Sequence, residues 1–391
     1  MTRKVMATLI VAAALCAPGT IAAAQEILLG YLPAAGGPFA TFSKTNLVAA
    51  QMAVDEVNAA GGVNGKKLRI ISFDTAGKPD QAVVGLRKLA EDDKVLAIIG
   101  PFTSSECRVV FPAAERIGIV TMSMASSAPN LAEPFTYAFR NTSNEAYMFS
   151  RVMRALKEKN YAMATGAVAY ATDDVISKTM GEKIIPTLMQ QAGVDIKVTV
   201  TYQTQAFDLA PQASQLAANK TDLVAIGSGP ESAAKLAHEL RRQNDNSRLI
   251  AGSTISDPEL PRLMGAAGNG TVIPTAYYAG LNDKTKAFDA EFVKRARAEG
   301  IDRSGAAQFD ASTYDIVMIF AKAMKEGKVT GDPAKLASER TVIRDEIRNM
   351  KDFPALEGPI SFGKNGDALK PVYVVEMQNS KWTLLETYPA K

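Results

Sequence analysis

Apolar and polar positions alternate along this chain with the spacing of helices and of strands in turn. From Leu47 to Val57 the apolar residues recur at helical spacing, and the Gly61-Gly62 pair then permits the left-handed backbone that ends a helix. Leu68 to Phe73 alternates as a strand does, and Pro79 opens a second helix. Val95 to Ile99 is short and wholly apolar, as a strand buried on both faces is. This order predicts a βα unit that feeds a parallel sheet.

The same alternation continues through two series of elements. The predicted strands of the first series are Ile27–Leu32, Leu68–Phe73, Val95–Ile99 and Ile119–Ser123. The second series has predicted strands Gly166–Tyr170, Ile196–Tyr202 and Leu223–Ser228, and predicted helices Glu145–Lys157, Ile176–Gln191 and Ala210–Asn219. Strands separated by helices pair in parallel and carry the helices on both faces. The sequence therefore predicts an α/β fold with two doubly wound parallel-sheet lobes.

The first 24 residues have the pattern of a secretory signal peptide. Arg3 and Lys4 precede an apolar run from Val5 to Ala17, and three alanines at 22–24 form a small-residue cleavage site. The apolar run is shorter than the roughly 18 residues that a membrane span needs. We therefore expect export of a mature chain from residue 25 onward, which is long enough for two lobes of about 150 to 200 residues each.

Charge and cysteine content narrow the range of partners. The chain has 44 basic and 41 acidic residues and a formal net charge of +3, too balanced to attract nucleic acid by its field. After removal of the signal, Cys107 is the one remaining thiol, so the sequence predicts no internal disulfide even in an oxidising compartment. Two apolar cores must supply the stability.

Enzyme and cofactor motifs do not account for this sequence. It contains no phosphate-binding G-x-x-x-x-G-K-[ST] loop and no G-x-S-x-G nucleophile elbow. The single histidine, His238, lies in an amphipathic helical segment where a structural role is expected. GSGPES at 227–232 follows a strand but lacks the third glycine of a dinucleotide site. We therefore expect neither a metal nor a cofactor, and no catalysis.

Two serine-rich loops follow buried strands of the first series. Ser104 and Ser105 precede a helix, where unpaired backbone N–H groups and the positive helix end favour a carboxylate. Ala125, Ser126 and Ser127 lie in the second loop, where small side chains let the backbone approach a ligand closely. The alternatives are that Ser104 or Ser105 only caps its helix, and that the second loop is a simple turn.

Several long motifs identify a family. The segment AVDEVNAAGGVNGKKLRIISFDTAG leads to IIGPFTSS, and PAAERIGIVTMSMASSAPNL, FRNTSNEAY, FDASTYDIVMIFAKAM and GPISFGKNGD follow along the chain. Together they resemble the type I periplasmic solute-binding proteins of the leucine/isoleucine/valine-binding family, which serve ABC transporters. The resemblance extends over nearly the whole mature chain.

The resemblance implies the type I periplasmic binding protein fold, in which three crossing strands form a hinge between the lobes. Lobe one would comprise residues 25–143 and 277–354, and lobe two residues 144–276 and 355–391. Helices Asp283–Glu299 and Ala311–Lys325 would belong to lobe one, and the strand Gly358–Phe362 and Trp382 to lobe two. Ligands of such sheets bind beyond the carboxyl ends of the strands, so a cleft between the lobes is expected.

In lobe one the resemblance assigns the ligand contacts to the two serine loops and an aromatic wall. Ser104 corresponds to the serine that contacts the ligand carboxylate, and Ala125 and Ser127 to a backbone and a hydroxyl contact. Ser127 is a mild departure, because relatives usually carry threonine there. Phe42 stands where relatives place an aromatic residue over the ligand, although it could instead pack under its own loop.

In lobe two this sequence departs from the family. Glu145 matches an acidic acceptor for the ligand's amino group, but Ser253 stands where the second such glutamate is expected and Ser228 lies near a missing tyrosine. Tyr170 could supply a replacement contact, and Tyr277 is a weaker candidate. Because one ammonium acceptor is lost, an aromatic or short aliphatic acid competes with a branched-chain or other apolar amino acid as the expected ligand.

The resemblance implies a monomeric periplasmic receptor that captures a small carboxylate by hinge closure and delivers it to the membrane permease of an ABC transporter. Two other classes of protein remain open on the sequence. An exported α/β enzyme would turn its ligand over, and a sensory module would present the closed form to a signalling partner. The absence of a fused output domain in this sequence favours transport.

Overall fold

The computed structural model describes residues 26–36 and 39–390. Its strands are β1 (Ile27–Tyr31), β2 (Leu68–Ser72), β3 (Ala97–Ile99), β4 (Val120–Ser123), β5 (Ala138–Arg140), β6 (Thr165–Ala171), β7 (Asp195–Tyr202), β8 (Leu223–Gly227), β9 (Arg248–Ala251), β10 (Val272–Thr275), β11 (Phe353–Ala355), β12 (Gly358–Phe362), β13 (Ala368–Leu369), β14 (Val372–Gln378) and β15 (Lys381–Tyr388). The predicted signal peptide lies outside the described residues.

The helices alternate with the strands over most of the chain. They are α1 (Ala40–Ala59), α2 (Pro79–Arg87), α3 (Ser104–Ile117), α4 (Glu145–Glu158), α5 (Val175–Thr179), α6 (Ile185–Gln191), α7 (Ala210–Ala217), α8 (Pro230–Arg242), α9 (Leu260–Met264), α10 (Asp283–Ala298), α11 (Gln308–Glu326) and α12 (Leu336–Asn349). Within the described ranges, no helix has the length and apolar character needed to cross a membrane.

The first lobe is built on a five-stranded parallel sheet in the order β2-β1-β3-β4-β5. Leu29 of β1 pairs with Ile70 on one side and Ala97 on the other, as the predicted strands require. One apolar cluster joins this sheet to α1, α10 and α11, with Ile99 and Phe320 fully buried in it. The predicted parallel sheet with helices packed against it is confirmed.

The second lobe has a seven-stranded sheet in the order β15-β14-β10-β9-β8-β6-β7. Strands β6 to β10 pair in parallel, and β14 and β15 add an antiparallel edge. Apolar clusters cover both faces: Val224 and Ile226 pack on one, Val168 and Ile250 on the other. Two separate cores therefore support two lobes, as the alternation of elements predicts.

The strand β12 differs from the expectation. It pairs with β11 and β13 in a small third sheet, and its Ile360 and Phe362 pack in the core of the first lobe. The chain thus crosses to the second lobe at Lys370, between β13 and β14, rather than near Pro354. Pairing with its sequence neighbour β11 explains the difference, because an antiparallel hairpin forms locally. The division of the other segments between the lobes stays a prediction.

Buried polar contacts fix two of the crossings to each other. Asn141, which follows β5, exchanges hydrogen bonds with Ser312 of α11: its amide donates to the Ser312 carbonyl (3.0 Å), and the Ser312 hydroxyl donates to the Asn141 carbonyl (2.7 Å). The ammonium of Lys370 donates to the same Asn141 carbonyl at 2.7 Å and to the carboxylate of Glu357. These side chains tie the crossing strands to α11.

The predicted helix over 176–191 is interrupted. A π-helical turn, Met180–Ile184, separates α5 from α6, and it places Gly181 directly against the ring of Tyr170. A Cβ atom at residue 181 would lie 1.9 Å from Cγ of that ring, so only glycine fits without movement. The apolar spacing over 176–191 predicts one continuous helix and does not indicate this π-helical turn.

This packing yields a first prediction. The substitution Gly181→Ala should lower the free energy of unfolding by about 1–3 kcal/mol, because the added methyl overpacks a site filled by Tyr170. Urea unfolding followed by circular dichroism measures the change. The control is the same substitution in a Tyr170→Ala background, where the ring is missing and the cost should largely disappear. An equal cost in both backgrounds would contradict the packing argument.

Candidate functional site

A cleft of about 210 Å³ lies between the lobes, beyond the carboxyl ends of both sheets. The first lobe contributes Gly36, Phe39, Phe42, Ala76, Gly77, Thr103 and Ser105. The second lobe contributes Asp173, Asp174, Ile176, Ser177, Thr204, Gln205, Ser228–Ser232 and Thr254. Every one of these segments follows a strand, which is where open α/β sheets receive their ligands.

The amino end of α3, which meets this cleft at Thr103 and Ser105, has two unpaired backbone N–H groups. Thr103 is the N-cap: its hydroxyl accepts from the Glu106 N–H (3.2 Å), and the Glu106 carboxylate accepts from the Thr103 N–H (2.9 Å). Thr103 thus caps the helix, and the alternative that Ser104 or Ser105 does so is wrong. Among the hydrogen bonds of the described residues, none uses the N–H of Ser104 or Ser105.

The second serine loop is held by its carbonyl groups. The fully buried guanidinium of Arg140 donates to the carbonyls of Ser126 (3.1 Å) and Ala128 (2.6 Å), and Asp367 accepts from it through both carboxylate oxygens. The carbonyl of Ser127 accepts from the Glu145 N–H at 2.9 Å. With three successive carbonyls engaged, the loop has a fixed backbone and is more than a free turn.

The serine side chains of the two loops are nearly all buried. The Ser104 hydroxyl accepts from the Ala128 N–H at 3.3 Å, which joins the first loop to the second. Ser126 lies beside the thiol of Cys107, and Ser127 beside the carboxyl of Glu145. Ala125 is half-buried against the first core. Of these residues and Ser105, only Ser105 lines the cleft directly.

Phe42 belongs to a cluster of aromatic rings at the cleft. Its ring is stacked on Phe102, with centroids 6.1 Å apart, and meets the edge of Phe309 at 5.2 Å. Phe39 adds a further ring, 5.3 Å from Phe102, and together with Phe42 it lines the cleft. Phe42 therefore packs on neighbouring rings and also lines the cleft. Packing within lobe one does not prevent it from contacting a ligand.

Glu145 is fully buried and already has hydrogen-bond donors. Its carboxylate accepts from the Ser253 N–H (2.5 Å) and from the Ser253 hydroxyl (2.8 Å), and a side chain at Gly252 would collide with it. Burial raises the pKa of Glu145, and the Ser253 donors and the Ser127 hydroxyl oppose that rise. Ser253, which the resemblance predicted at the position of a second glutamate, thus donates both of its hydrogen bonds to Glu145.

The side of the cleft formed by lobe two is acidic, and two of its carboxylates already accept hydrogen bonds from nearby residues. Asp173 accepts from the N–H and the hydroxyl of Thr204, both at 2.8 Å, and Asp174 caps α5 by accepting from the Ser177 N–H and hydroxyl. Glu231 lies exposed at the start of α8. The described residues of the lining include no lysine, arginine or histidine.

Two predicted tyrosines lie away from this cleft. Tyr170 packs on Gly181 in the second core, and its hydroxyl donates to Glu182 at 3.5 Å. Tyr277 is buried in the first core, donates to the Thr285 carbonyl at 3.2 Å, and lines a separate cavity near the second crossing. Both expectations are corrected, because strand position alone does not fix the face on which a side chain lies. Ser228 does line the cleft.

Apart from Ser228, sequence reasoning did not select the residues of lobe two that line the cleft. Asp174, Ile176 and Thr204 reach the cleft because their loops follow β6 and β7, and that placement could have been read from the strand order. No group of three or more potential metal ligands is found in the part of the chain that the structure describes.

Relatives match this chain from end to end. The Leu/Ile/Val-binding protein BraC3 of Rhizobium johnstonii is 24% identical over 373 residues, which cover 94% of this chain and 95% of the relative. The substrate-binding protein LivJ of Streptococcus pneumoniae, solved with isoleucine, superposes with a TM-score of 0.81 at 21% identity and covers 93% of this chain and 100% of that one.

A third likeness is to a solute-binding protein of an ABC transporter from Rhodopseudomonas palustris BisB5, solved with 3,4-dihydroxybenzoic acid. Its TM-score is 0.80 at 20% identity, over 93% of this chain and 98% of that one. At these identities the solved structures show the fold. Residues 26–381 match the family described as Periplasmic binding protein, and with nearly all of the described chain inside that match, the protein belongs to this family.

Proposed function

We propose that this protein is the periplasmic receptor of an ABC uptake transporter and captures a small organic carboxylate between its two lobes. The observation that carries the proposal is the pair of unpaired N–H groups at Ser104 and Ser105, at the end of α3 whose Thr103 and Ser105 line a cleft walled by both lobes. Family membership and the bound isoleucine and dihydroxybenzoate of the solved relatives support the same ligand class. The export signal predicted for residues 1–24 supports a periplasmic location.

The carboxylate of the ligand binds at the amino end of α3. Two N–H groups and the positive end of a 14-residue helix favour an anion there, and the Ser105 hydroxyl adds a donor. The capping box of Thr103 and Glu106 fixes this geometry before the ligand arrives, so little ordering is needed on binding. Ser104, Ala125 and Ser127 support the site from behind.

The body of the ligand is apolar or aromatic. Phe39 and Phe42 from lobe one and Ile176 from lobe two line the cleft, and burying apolar surface on them contributes roughly 25 cal/mol per Å². Ile176 also packs against the apolar cluster of Cys107 and Phe111 beside α3. Closure of lobe two thus covers the ligand and joins apolar surfaces of the two lobes.

The engagement of Glu145 favours an acid without an α-ammonium group. Its carboxylate accepts from both donors of Ser253, so a ligand ammonium would have to displace them. An aromatic or short aliphatic acid has no such requirement. An apolar amino acid is the second candidate, because Asp174 and Glu231 face the cleft from lobe two and could receive an ammonium there.

The remaining features fit a receptor rather than an enzyme. The carboxylates of Asp173 and Asp174 at the cleft accept from backbone N–H groups and hydroxyls of their own loops, which stabilises those loops. The ligand drives closure because it binds the closed form more tightly than the open form. The closed form then presents both lobes to the membrane permease. We propose no catalytic step.

The carboxylate anchor can be tested in two stages. Ser104→Ala together with Ser127→Ala should weaken binding more than tenfold, or about 1.4 kcal/mol or more, because the hydroxyls that hold the Ala128 N–H and the Glu145 carboxyl behind the anchor are lost. Ser104→Pro should weaken it further, because proline removes the N–H as well while remaining compatible with the first helical position. Titration calorimetry with benzoate and with L-leucine measures both. Ser338→Ala, an exposed hydroxyl on α12, is the control, and unchanged affinity in the Ser104 variants would refute the anchor.

The ligand class can be tested with Glu145→Gln. If the ligand carries no ammonium, this variant should bind benzoate within about twofold of the parent, because glutamine keeps an acceptor for Ser253. If the ligand ammonium binds Glu145, affinity for L-leucine should fall more than tenfold. A thermal-shift panel of amino acids, their amides and the corresponding des-amino acids identifies the ligand independently.

The same variant makes a prediction for pH. Burial raises the pKa of Glu145 in the folded protein, so folding favours the protonated carboxyl. The stability of the parent should therefore fall, relative to Glu145→Gln, as pH rises from below the unfolded value of about 4.3 through the raised folded value. Urea unfolding at a series of pH values measures this difference. A constant difference would contradict the effect of burial.

A further inference from the structure

A buried ion pair joins the two lobes. Arg303 lies between α10 and α11, on the first lobe, and Asp257 lies after β9, on the second. The guanidinium donates to both carboxylate oxygens of Asp257, at 3.0 and 3.3 Å, and the two side chains are only 4% and 8% exposed. Sequence analysis gave no sign of this pair, which spans 46 residues of chain.

Three further polar residues reinforce the same contact. The Ser304 N–H donates to Glu259 at 2.6 Å. Gln308 donates to the Ser253 carbonyl at 2.8 Å and accepts from the Ala276 N–H at 3.0 Å. Apart from the bond to Ala276, these contacts lie on two short segments, 303–308 of the first lobe and 253–259 of the second, which we call the latch.

The ion pair is held by its surroundings. The Asp257 carboxylate also accepts from the Glu259 N–H at 2.7 Å, and its backbone carbonyl accepts from the indole N–H of Trp382 at 3.1 Å. Breaking a buried pair by removing one partner leaves an uncompensated charge, which is costly in this environment. The Arg303–Asp257 pair therefore favours arrangements in which the two lobes stay together.

The latch also touches the ligand cleft. The guanidinium carbon of Arg303 lies 5.9 Å from the centroid of the Phe42 ring, and Phe42 lines the cleft. On the other side, Gln308 binds the carbonyl of Ser253, whose N–H and hydroxyl serve Glu145. Neither Arg303 nor Asp257 lines the cleft itself.

We infer that Arg303 and Asp257 are positioning residues that hold the closed form of the protein and thereby set its affinity for every ligand by a common factor. The inference rests on the proposed function, in which closure accompanies binding. Apparent affinity is the intrinsic affinity multiplied by the fraction of molecules that can close productively. A contact that exists between the lobes but avoids the ligand changes that fraction and leaves ligand preference untouched.

The test is a double-mutant cycle on the mature protein. Arg303→Gln, Asp257→Asn and the double variant are compared with the parent by calorimetry with benzoate and L-leucine and by small-angle X-ray scattering without added ligand. Each single variant should weaken binding of whichever probe binds by about tenfold. If both benzoate and L-leucine bind, each single variant should lose the same factor in affinity for the two ligands. The affinity of the double variant should be no lower than that of either single variant. The radius of gyration of the variants should exceed that of the parent.

Controls separate the latch from general damage. Arg295→Gln removes an ion pair with Asp55 whose two partners both lie on helices of the first lobe, and it should change neither affinity nor radius. Arg303→Lys keeps the charge but has one donor group in place of the two-pronged guanidinium, and it should give an intermediate effect. Denaturant unfolding of each variant identifies any that fail to fold.

Several outcomes would overturn the inference. Unchanged affinity and radius in Arg303→Gln and Asp257→Asn would show that the pair does not control closure. Additive losses, or a loss that differs between the probes, would place Arg303 against the ligand instead. If the parent binds no small carboxylate, the proposed function fails, but scattering of the ligand-free variants still tests the latch by itself: an expanded variant beside an unchanged Arg295→Gln control supports it.

Discussion

Asn141 fixes the point at which the chain leaves the first sheet, and the rest of the arrangement depends on it. Its carbonyl accepts from the Lys370 ammonium and the Ser312 hydroxyl, and its amide donates back to Ser312. Lys370 belongs to a later crossing and Ser312 to α11 of the first lobe. Asn141 thus connects two crossings to a core helix by hydrogen bonds. Any rotation of one lobe against the other therefore bends the chain at a few well-ordered residues.

Two buried carboxyl groups, Glu357 and Asp315, lie close enough to the Lys370 ammonium to be influenced by its charge. Glu357 binds Lys370, while Asp315 accepts from the Leu356 N–H at 3.0 Å. Burial and the neighbouring Glu357 raise the pKa of Asp315, and the Lys370 ammonium opposes that rise, so the folded protein favours the protonated form of Asp315. Both carboxyl groups therefore have hydrogen-bond donors inside the protein.

The sequence predicts the parts of this protein that depend on local order. Hydrophobic spacing and the rules of helix ends predict the alternating strands and helices. They also predict the loops beyond β3 and β4 and the amino end of α3. What it fails to predict depends on long-range packing. The orientation of Tyr170 is set by a π-helical turn, and the partner of Glu145 lies 108 residues away at Ser253. A substitution that looks like the loss of a ligand contact turns out to create an internal one.

The two sides of the cleft differ in how many of their polar groups are free to bind a ligand. On the first lobe, Thr103 and Glu106 satisfy each other and leave the N–H groups of Ser104 and Ser105 free, so an anion finds a ready site. On the second lobe, the carboxylates of Asp173 and Asp174 already serve donors of their own loops. In the function we propose, a carboxylate ligand docks first on lobe one, and acidic lobe two closes over its apolar body. Because the described cleft lining of lobe two has no cationic side chain for the anion, this proposal requires contacts between the lobes to supply part of the free energy of closure.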